Sequence, residues 1–409
     1  MPIQQLSVRL QGEQVGVLEQ TTTGKMQFQY DVAAKQAISV SLPLQENAYG
    51  AVACEAFFGG FLPEGDTARK IIGQHYRISP NNSFALLKAI GYDCAGAISF
   101  HAMDEPIVPT RFYSLQGRIL EDAELFKHIQ ELPERPLFLG VDGLRLSLAG
   151  VQDKAAVCLL ENKIALPEKS CPTTHILKPP VKTFQHIVEN EFFCLTLAKI
   201  VGLNVPAVEI RQAETLSYLL VERYDRHIEN NQVERIHQED FCQALGIISA
   251  NKYQNEGGPS LQNCFELLLQ TTQPAVNINE LISAVIFNYF IGNCDAHGKN
   301  FSLLYTKTLA LAPFYDLVAT LAYPELSKKM AMKIGGEYDS TRIFEKNWRK
   351  FCEDIQYSYP IFKNTLKKQG ELLLTILREK KEFFIESTKS INFIQRIIGL
   401  IEKRVRQVL

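Results

Sequence analysis

Asp295 is followed five positions later by Asn300, inside the polar knot Asn293-Cys294-Asp295-Ala296-His297-Gly298-Lys299-Asn300. A carboxylate and an amide at that spacing suit phosphoryl transfer, in which the Asp orients or deprotonates an acceptor hydroxyl and the Asn holds a metal ion. Two other stretches supply what such chemistry needs. Ala149-Gly150 is a small-residue turn whose backbone N–H groups can approach an anion, and Lys154 adds positive charge beside it. Lys178 closes the run His175-Ile176-Leu177 ahead of Pro179-Pro180, where a strand end would offer its ammonium to phosphate oxygens. His297 raises a competing reading, a metal-bound Asp-x-His. No second His stands at ligand spacing around it, and the remaining seven are dispersed.

These groups need rigid supports. Residues 281–291 are apolar on most faces and predict a buried helix, which Gly292 ends; Phe301, Leu303 and Leu304 predict a short strand. The polar knot is then a tight loop between two buried elements. Upstream, 144–157 reads as strand, turn, strand, and 175–178 as a further strand. A helix over 188–201 carries Glu191 near its first turns, with Glu189 competing for the same place, and strands follow at 208–212 and 216–222. Strand-loop-strand, strand with Lys, helix with Glu is the order of a kinase N-lobe. From about 227 the chain is expected to turn helical. A helix begins at 237–246 with Gln238, Glu239 and Asp240 near its N-terminus, where Gln238 and Asp240 can equally be read as helix caps, and others occupy 261–269 and the last eighty residues. Between them, 309–314 predicts a strand ending at Tyr315-Asp316.

The first 45 residues alternate in period two (Leu6, Val8, Leu10; Met26, Phe28, Tyr30; Ile38, Val40, Leu42) and predict an antiparallel sheet of short strands. Helical patterns at 52–76 and 83–90 and a strand at 97–101 complete a unit with no catalytic constellation of its own, suited to binding or regulation. At 409 residues two or three domains are expected. Their boundaries fall at 1–105, 106–227 and 228–409. A net charge of −2 argues against bulk coating of nucleic acid. No run of eighteen apolar residues predicts a membrane span, and the first residues lack the pattern of a secretory signal. Nine cysteines, singly spaced and odd in number, fit buried thiols in a reducing cytoplasm.

Taken together, the motifs resemble the HipA family, the serine/threonine-protein kinase toxins of bacterial type II toxin–antitoxin modules. The resemblance runs along nearly the whole chain: Ser41-Leu42-Pro43-Leu44, then Phe57-Phe58-Gly59-Gly60-Phe61-Leu62-Pro63. Ser147-x-Ala-Gly-x-Gln-x-Lys154, Thr173-Thr174-His175-Ile176-Leu177-Lys178, Glu222-Arg223-Tyr224-Asp225-Arg226 and Gln238-Glu239-Asp240 continue it. Asp295-x-His297-x-Lys299-Asn300 and Phe314-Tyr315-Asp316 close the series. It implies an α+β chain: a bilobed protein-kinase-like core, with a β-rich N-lobe and a helical C-lobe, preceded by a small N-terminal α+β domain.

The same resemblance implies ATP and Mg²⁺ as cofactors and distributes the roles. Asp295 is the catalytic base, and Asn300 and Asp316 are the metal ligands. Ala149, Gly150, Val151, Gln152, Asp153 and Lys154 form the phosphate loop, with Lys178 on the α- and β-phosphates and Glu191 its possible partner. Glu222, Arg223 and Tyr224 form the hinge toward adenine, with Asp225 near the ribose. His297 and Lys299 lie beside the phosphate or ribose. Ser147 is the autophosphorylated serine; its phosphate, adding roughly −1.5 to −2 charge, would repel ATP or be captured by Arg223, Lys178 or Arg226. The implied partners are a HipB-like helix-turn-helix antitoxin, operator DNA through that complex, and a protein substrate of the aminoacyl-tRNA synthetase class, glutamyl-tRNA synthetase foremost. The basic groups Lys367-Lys368, Lys380-Lys381 and Lys403-Arg404-Val405-Arg406 could add phosphate contacts to DNA. Rival readings are a small-molecule phosphotransferase with the same Asp/Asn/Asp set and a non-catalytic pseudokinase corepressor.

Overall fold

The computed structural model describes residues 3–107, 110–140, 145–150, 152–168 and 171–409. Strands β1 (Gln4–Leu10), β2 (Glu13–Gln20) and β3 (Met26–Tyr30) form a meander, and β4 (Ile98–Ala102) closes the free edge of β1, giving the antiparallel order β3-β2-β1-β4. Helices α1 (Ala51–Phe58), α2 (Asp66–Tyr76) and α3 (Ser83–Ile90) lie between β3 and β4 in the chain. Phe28, Phe58, Phe61 and Phe100 meet edge-to-face in this unit's core, the arrangement that aromatic quadrupoles favour. The strand expected at 38–42 is absent. Ser39 bridges Leu42 in a turn, because Ser39 Oγ and the Val40 N–H both donate to the buried carboxylate of Glu239, at 2.5 and 2.9 Å.

The second sheet is built from β6 (Gly117–Ile119), β7 (Ala155–Leu160), β8 (Lys163–Pro167), β9 (His175–Lys178), β10 (Val208–Ala213) and β11 (Leu216–Glu222), in the order β10-β11-β9-β7-β8-β6. Short β5 (Phe112–Ser114) precedes it and belongs to another sheet. Helix α4 (Asp122–Glu131) buries Leu125 and Ile129 in the same core as Leu177 and Leu220, while α5 (Ile187–Ile200) packs against β10 and β11. The strand expected before the small-residue turn does not form. Leu146 makes a single bridge to Asp93, and Leu146 and Leu148 bury their side chains in the N-terminal core instead of joining this sheet. Leu144 and Val151 of that expectation lie outside the described residues.

Past β11 the chain does not turn helical at once, as its composition suggested. β12 (Arg226–Glu229) and β13 (Gln232–Arg235) form a hairpin with β5 on its edge, and β14 (His237–Asp240) pairs with β15 (Ser302–Tyr305), itself paired with β16 (Leu309–Leu311). The hairpin turn is Asn230-Asn231, both at positive φ, a conformation Asn tolerates and a two-residue hairpin loop requires. The helix expected from 237 starts only at Phe241; Asp240, which with Gln238 the sequence also offers as a helix cap, ends β14 and caps the short α6 (Phe241–Ala244) by accepting from the Gln243 N–H at 2.9 Å.

Helix α7 (Leu261–Leu268) leads to α8 (Pro274–Ile291), which starts earlier than expected because Pro274 at its first turn stabilises that end. The length and hydropathy of α8 would let it cross a membrane, yet its second half is buried inside this lobe, with α7, α10 and α12 packed around it. Gly292, in the left-handed conformation at φ 71°, stops it. A hairpin missing from the sequence reading, β17 (Lys329–Ile334) and β18 (Glu337–Asp339), turns at Gly335-Gly336. Helices α9 (Glu345–Asp354), α10 (Tyr359–Glu379), α11 (Lys381–Thr388) and α12 (Ile391–Arg406) complete the helical lobe. Arg404, expected in a basic face, is buried: its Nε donates to the Tyr289 carbonyl at 2.7 Å and its guanidinium lies 4.2 Å from the Tyr289 ring centroid. It ties α12 to α8 and cannot reach a DNA phosphate. All nine cysteines are buried free thiols.

Candidate active site

A cleft of about 1480 Å³ separates the second sheet from the helical lobe, and Lys178, Asp295, Asn300 and Asp316 all line it. Lys178 reaches it from the end of β9, which is hydrogen-bonded on both sides, to β7 and β11. Its Nζ donates to Glu191 Oε1 and to Asp316 Oδ1, each at 2.6 Å. Burial opposes the charge on Lys178, but the two carboxylates outweigh it and hold the ammonium protonated. Glu191 sits one turn into α5 and is buried; Glu189 turns away toward His186. Burial alone would raise the Asp316 carboxyl, yet Lys178 and Lys154 keep it well below the usual carboxylate range.

Asp316 adopts φ 58°, rare for a residue with a side chain, and its neighbours fix it there. The Tyr315 hydroxyl donates to the Lys299 carbonyl at 2.6 Å and its ring stacks on Tyr224, while Leu317 is buried. The Asp-Gly hinge of a standard kinase is replaced here by an anchored turn.

The loop after α8 is satisfied internally. Asn293 Oδ1 accepts the Asp295 N–H at 3.0 Å, the Cys294 N–H donates to Thr320 Oγ1 at 2.8 Å, and Asn300 Nδ2 donates to the Asp295 carbonyl at 3.0 Å. Asp295 faces the open cleft while its neighbours 293, 294 and 296–300 are buried. Its carboxyl is pushed up, chiefly by desolvation. The Tyr253 hydroxyl donates to Asp295 Oδ1 at 2.7 Å. His297 is buried, and burial with the nearby Lys252 charge takes its imidazole down to about 3, so it is neutral; its Nδ1 has no partner among the described residues.

Residues 147–150 fold back on the N-terminal domain. Ser147, fully buried, donates from Oγ to the Phe61 carbonyl at 2.7 Å; the Gly150 carbonyl accepts from the Glu64 N–H at 3.2 Å. Gly150 has φ 106°, and a Cβ there would strike Lys154 Nζ, so only glycine lets Lys154 donate to the Ala149 carbonyl at 2.8 Å. Gln152, Asp153 and Lys154 border the cleft. Glu222 and Tyr224 line it where β11 ends.

Three residues expected at the nucleotide line the cleft but commit their charged groups elsewhere. Arg223 and Asp225 border the cleft, but their charged groups are spent in a buried cluster: Arg223 Nη2 meets Asp225 Oδ2 at 2.8 Å, and Arg226 Nη1 meets the same oxygen at 3.0 Å. The Asp225 carboxylate is arranged for that cluster and not for a ribose, and Arg223 and Arg226 are not free to capture a phosphoserine. Lys299, expected beside the nucleotide, is buried as a strut, donating to Asp240 Oδ2 at 2.6 Å and to the Gly60 carbonyl at 3.3 Å, with Glu64 Oε1 3.7 Å away.

Sequence reasoning missed Glu64, Lys252 and Tyr253. Glu64 follows the Gly59-Gly60-Phe61-Leu62-Pro63 turn and enters the cleft from the N-terminal domain, where Lys252 Nζ lies 2.6 Å from its Oε2. Coulombic contact with Lys299 and Lys252 overcomes burial and lowers its carboxyl. One residue thus holds the turn at Gly150 through its backbone and the loop after α8 through its side chain. Glu64→Ala strands the largely buried Lys252 ammonium and removes the second carboxylate near Lys299, which keeps Asp240. A loss of about 3 kcal/mol is expected, read as a lower denaturation midpoint, together with a slower reaction; an unchanged midpoint would show the pair to be solvated.

Comparison with known proteins follows the same outline. Residues 6–101 match the HipA N-terminal domain and residues 146–378 the HipA-like C-terminal domain. A relative named putative kinase Y4mE, from Sinorhizobium fredii, is 40% identical over 412 residues, covering 98% of each chain. The serine/threonine-protein kinase toxin HipA of Shewanella oneidensis is 32% identical over 73% of this chain and 70% of that one. A Shewanella oneidensis HipA structure, solved with HipB and operator DNA, superposes with a TM-score of 0.85 at 26% identity, over 98% of this chain and 96% of that chain.

Proposed function

The chain belongs to the HipA family of kinase toxins, and from that premise we propose that it transfers phosphate from MgATP to serine or threonine of a protein, as the toxin of a toxin–antitoxin pair. The observation that carries this is the Lys178–Glu191–Asp316 ion triad in one cleft with Asp295 and Asn300. A small basic group fixed by a helix carboxylate positions α- and β-phosphates, and a carboxylate facing the cleft serves the acceptor.

Among the described residues no group of three His, Cys, Asp or Glu side chains could cage a metal. Mg²⁺ keeps waters and phosphates as most of its ligands. Asn300 and Asp316 fit the remainder: the Asn300 amide nitrogen is spent on Asp295, and the Asp316 side chain is 38% exposed to the cleft. Mg²⁺, when bound, neutralises charge on the transferring phosphate. Lys178 exchanges part of its contact with Asp316 for phosphate oxygens, the 149–154 loop covers them, and Asp295 accepts the proton of the acceptor hydroxyl as it attacks.

Autophosphorylation at Ser147 inactivates the enzyme in this reading. The hydroxyl is buried against the Phe61 carbonyl, a site with no room for a dianion. Phosphate there forces the segment out and removes the cover over ATP. Ser147→Asp is therefore expected to weaken ATP binding at least tenfold by calorimetry, and Ser147→Ala to keep activity while losing self-incorporated phosphate. Undiminished phosphate in Ser147→Ala would refute the assignment.

An aminoacyl-tRNA synthetase, glutamyl-tRNA synthetase foremost, is the proposed target, with growth arrest as the outcome. A HipB-like antitoxin and operator DNA are the proposed partners; the Shewanella oneidensis complex supports them. The test is incubation with labelled ATP and cell lysate. Label in a synthetase supports the reading, label confined to small metabolites favours a small-molecule phosphotransferase, and undetectable ATP binding favours a non-catalytic corepressor.

A further inference from the structure

We propose that Tyr253 is a positioning residue for the Asp295 carboxylate, an addition that rests on the kinase reading above. A general base works only when held in the geometry of attack, and errors of an ångström are costly. Asp295 faces an open cleft, so packing alone does not fix its carboxylate. Among the described residues the Tyr253 hydroxyl is the one side-chain donor that meets it, at 2.7 Å on Oδ1. With Oδ1 taken, Oδ2 is the oxygen left to receive the acceptor's proton. That proton moves as the acceptor oxygen bonds to the γ-phosphorus and the bond to the ADP oxygen breaks.

Tyr253 is itself immobilised from several directions. Its ring stands edge-on to His297 at 5.2 Å, and its carbonyl accepts the Glu256 and Gly258 N–H groups, both at 2.9 Å. Lys252 before it is held by Glu64, and Gln254 after it accepts the Lys333 N–H through Oε1 at 2.7 Å. Gly258 completes the turn because a Cβ there would collide with the Asn251 carbonyl and the Lys252 backbone. So many anchors describe a fixed strut; a removable plug over the acceptor place would need a loop free to leave. A residue 42 positions before Asp295 in the chain thereby sets the rotamer of the site's central carboxylate.

The test is Tyr253→Phe, which keeps the ring and removes the donor. Initial rates of label transfer to lysate protein, at varied ATP, are expected to show kcat about tenfold lower. KM for ATP, ATP affinity and thermal midpoint should match wild type, and in an Asp295→Asn background the substitution should add nothing. The proposal is overturned by an unchanged kcat, by a loss that follows a lowered thermal midpoint, or by a faster rate, which would mark a plug. Phosphotyrosine at 253 in wild type would also overturn it, making the residue an acceptor. A wild-type chain that labels no protein overturns both this and the kinase reading; transfer retained with Tyr253→Phe indifferent overturns this one alone.

Discussion

Asp295→Ala is expected to leave a chain that folds and binds MgATP but transfers phosphate about 10³-fold more slowly, within the range that general acid–base groups contribute. The loop around Asp295 explains why folding should survive. Its hydrogen bonds run through the Asp295 backbone, whose N–H reaches Asn293 and whose carbonyl accepts from Asn300 and the His297 N–H. Among the described residues the side chain adds only the bond from Tyr253. The proposed mechanism assigns the ATP contacts to other residues, so affinity should change little. Calorimetry with MgATP, a thermal melt and single-turnover transfer of labelled phosphate check the three parts separately. Growth arrest on expression should vanish in the same variant. Arrest that persists, with transfer abolished, would detach toxicity from phosphoryl transfer.

How far the site was legible in the sequence depends on how local each contact is. The helix expected over 188–201 is found at Ile187–Ile200 and the strand at His175–Lys178, because 3.6- and two-residue periodicities are written in neighbouring residues. Lys178 and Glu191 are 13 positions apart, one supersecondary unit, and their pairing follows from element order. Glu64 and Lys252 lie 188 positions apart, and no spacing rule joins them. The N-terminal domain looked chemically empty for that reason; among the described residues, the one charged side chain it sends into the cleft is Glu64, at the end of an apolar turn. The strands over 226–240 failed differently. Asn230-Asn231 was a usable hairpin signal, but the apolar positions beside it are sparse, because Arg226 and Arg235 occupy interior places that usually go to aliphatic residues. Charge in a core misleads a reading built on hydrophobicity.

That buried charge carries the second large effect. Asp93, from the N-terminal domain, accepts from the Thr173 N–H and Oγ1 at 2.9 and 2.6 Å and from Arg226 Nη2 at 2.8 Å, and it forms an ion pair with Arg235 Nη2 at 3.1 Å. Arg223 stands 3.7 Å away, and Asp225 completes a cluster of three guanidiniums and two carboxylates. Burial opposes ionisation of Asp93, but the three arginines hold its carboxyl far below the usual range. Asp93→Ala leaves three guanidiniums facing one carboxylate in the interior, and a loss of about 3–5 kcal/mol is expected. Asp93→Asn keeps the shape and tests charge against packing: near-equal destabilisation assigns the effect to charge, and a harmless Asn assigns it to packing. Acid should act in the same direction. Arg223 and Arg226 outweigh burial and take Asp225 down to about 2, below its ordinary 3.8. Stability from that group is present above about pH 4 and falls as pH drops toward 2. Because Thr173 lies five residues before Lys178 on the way into β9, the cluster also sets where the ammonium stands. Weakened ATP binding in Asp93→Ala, measured well below its melting temperature, would show that this lock between domains reaches the cleft; full affinity would confine it to stability.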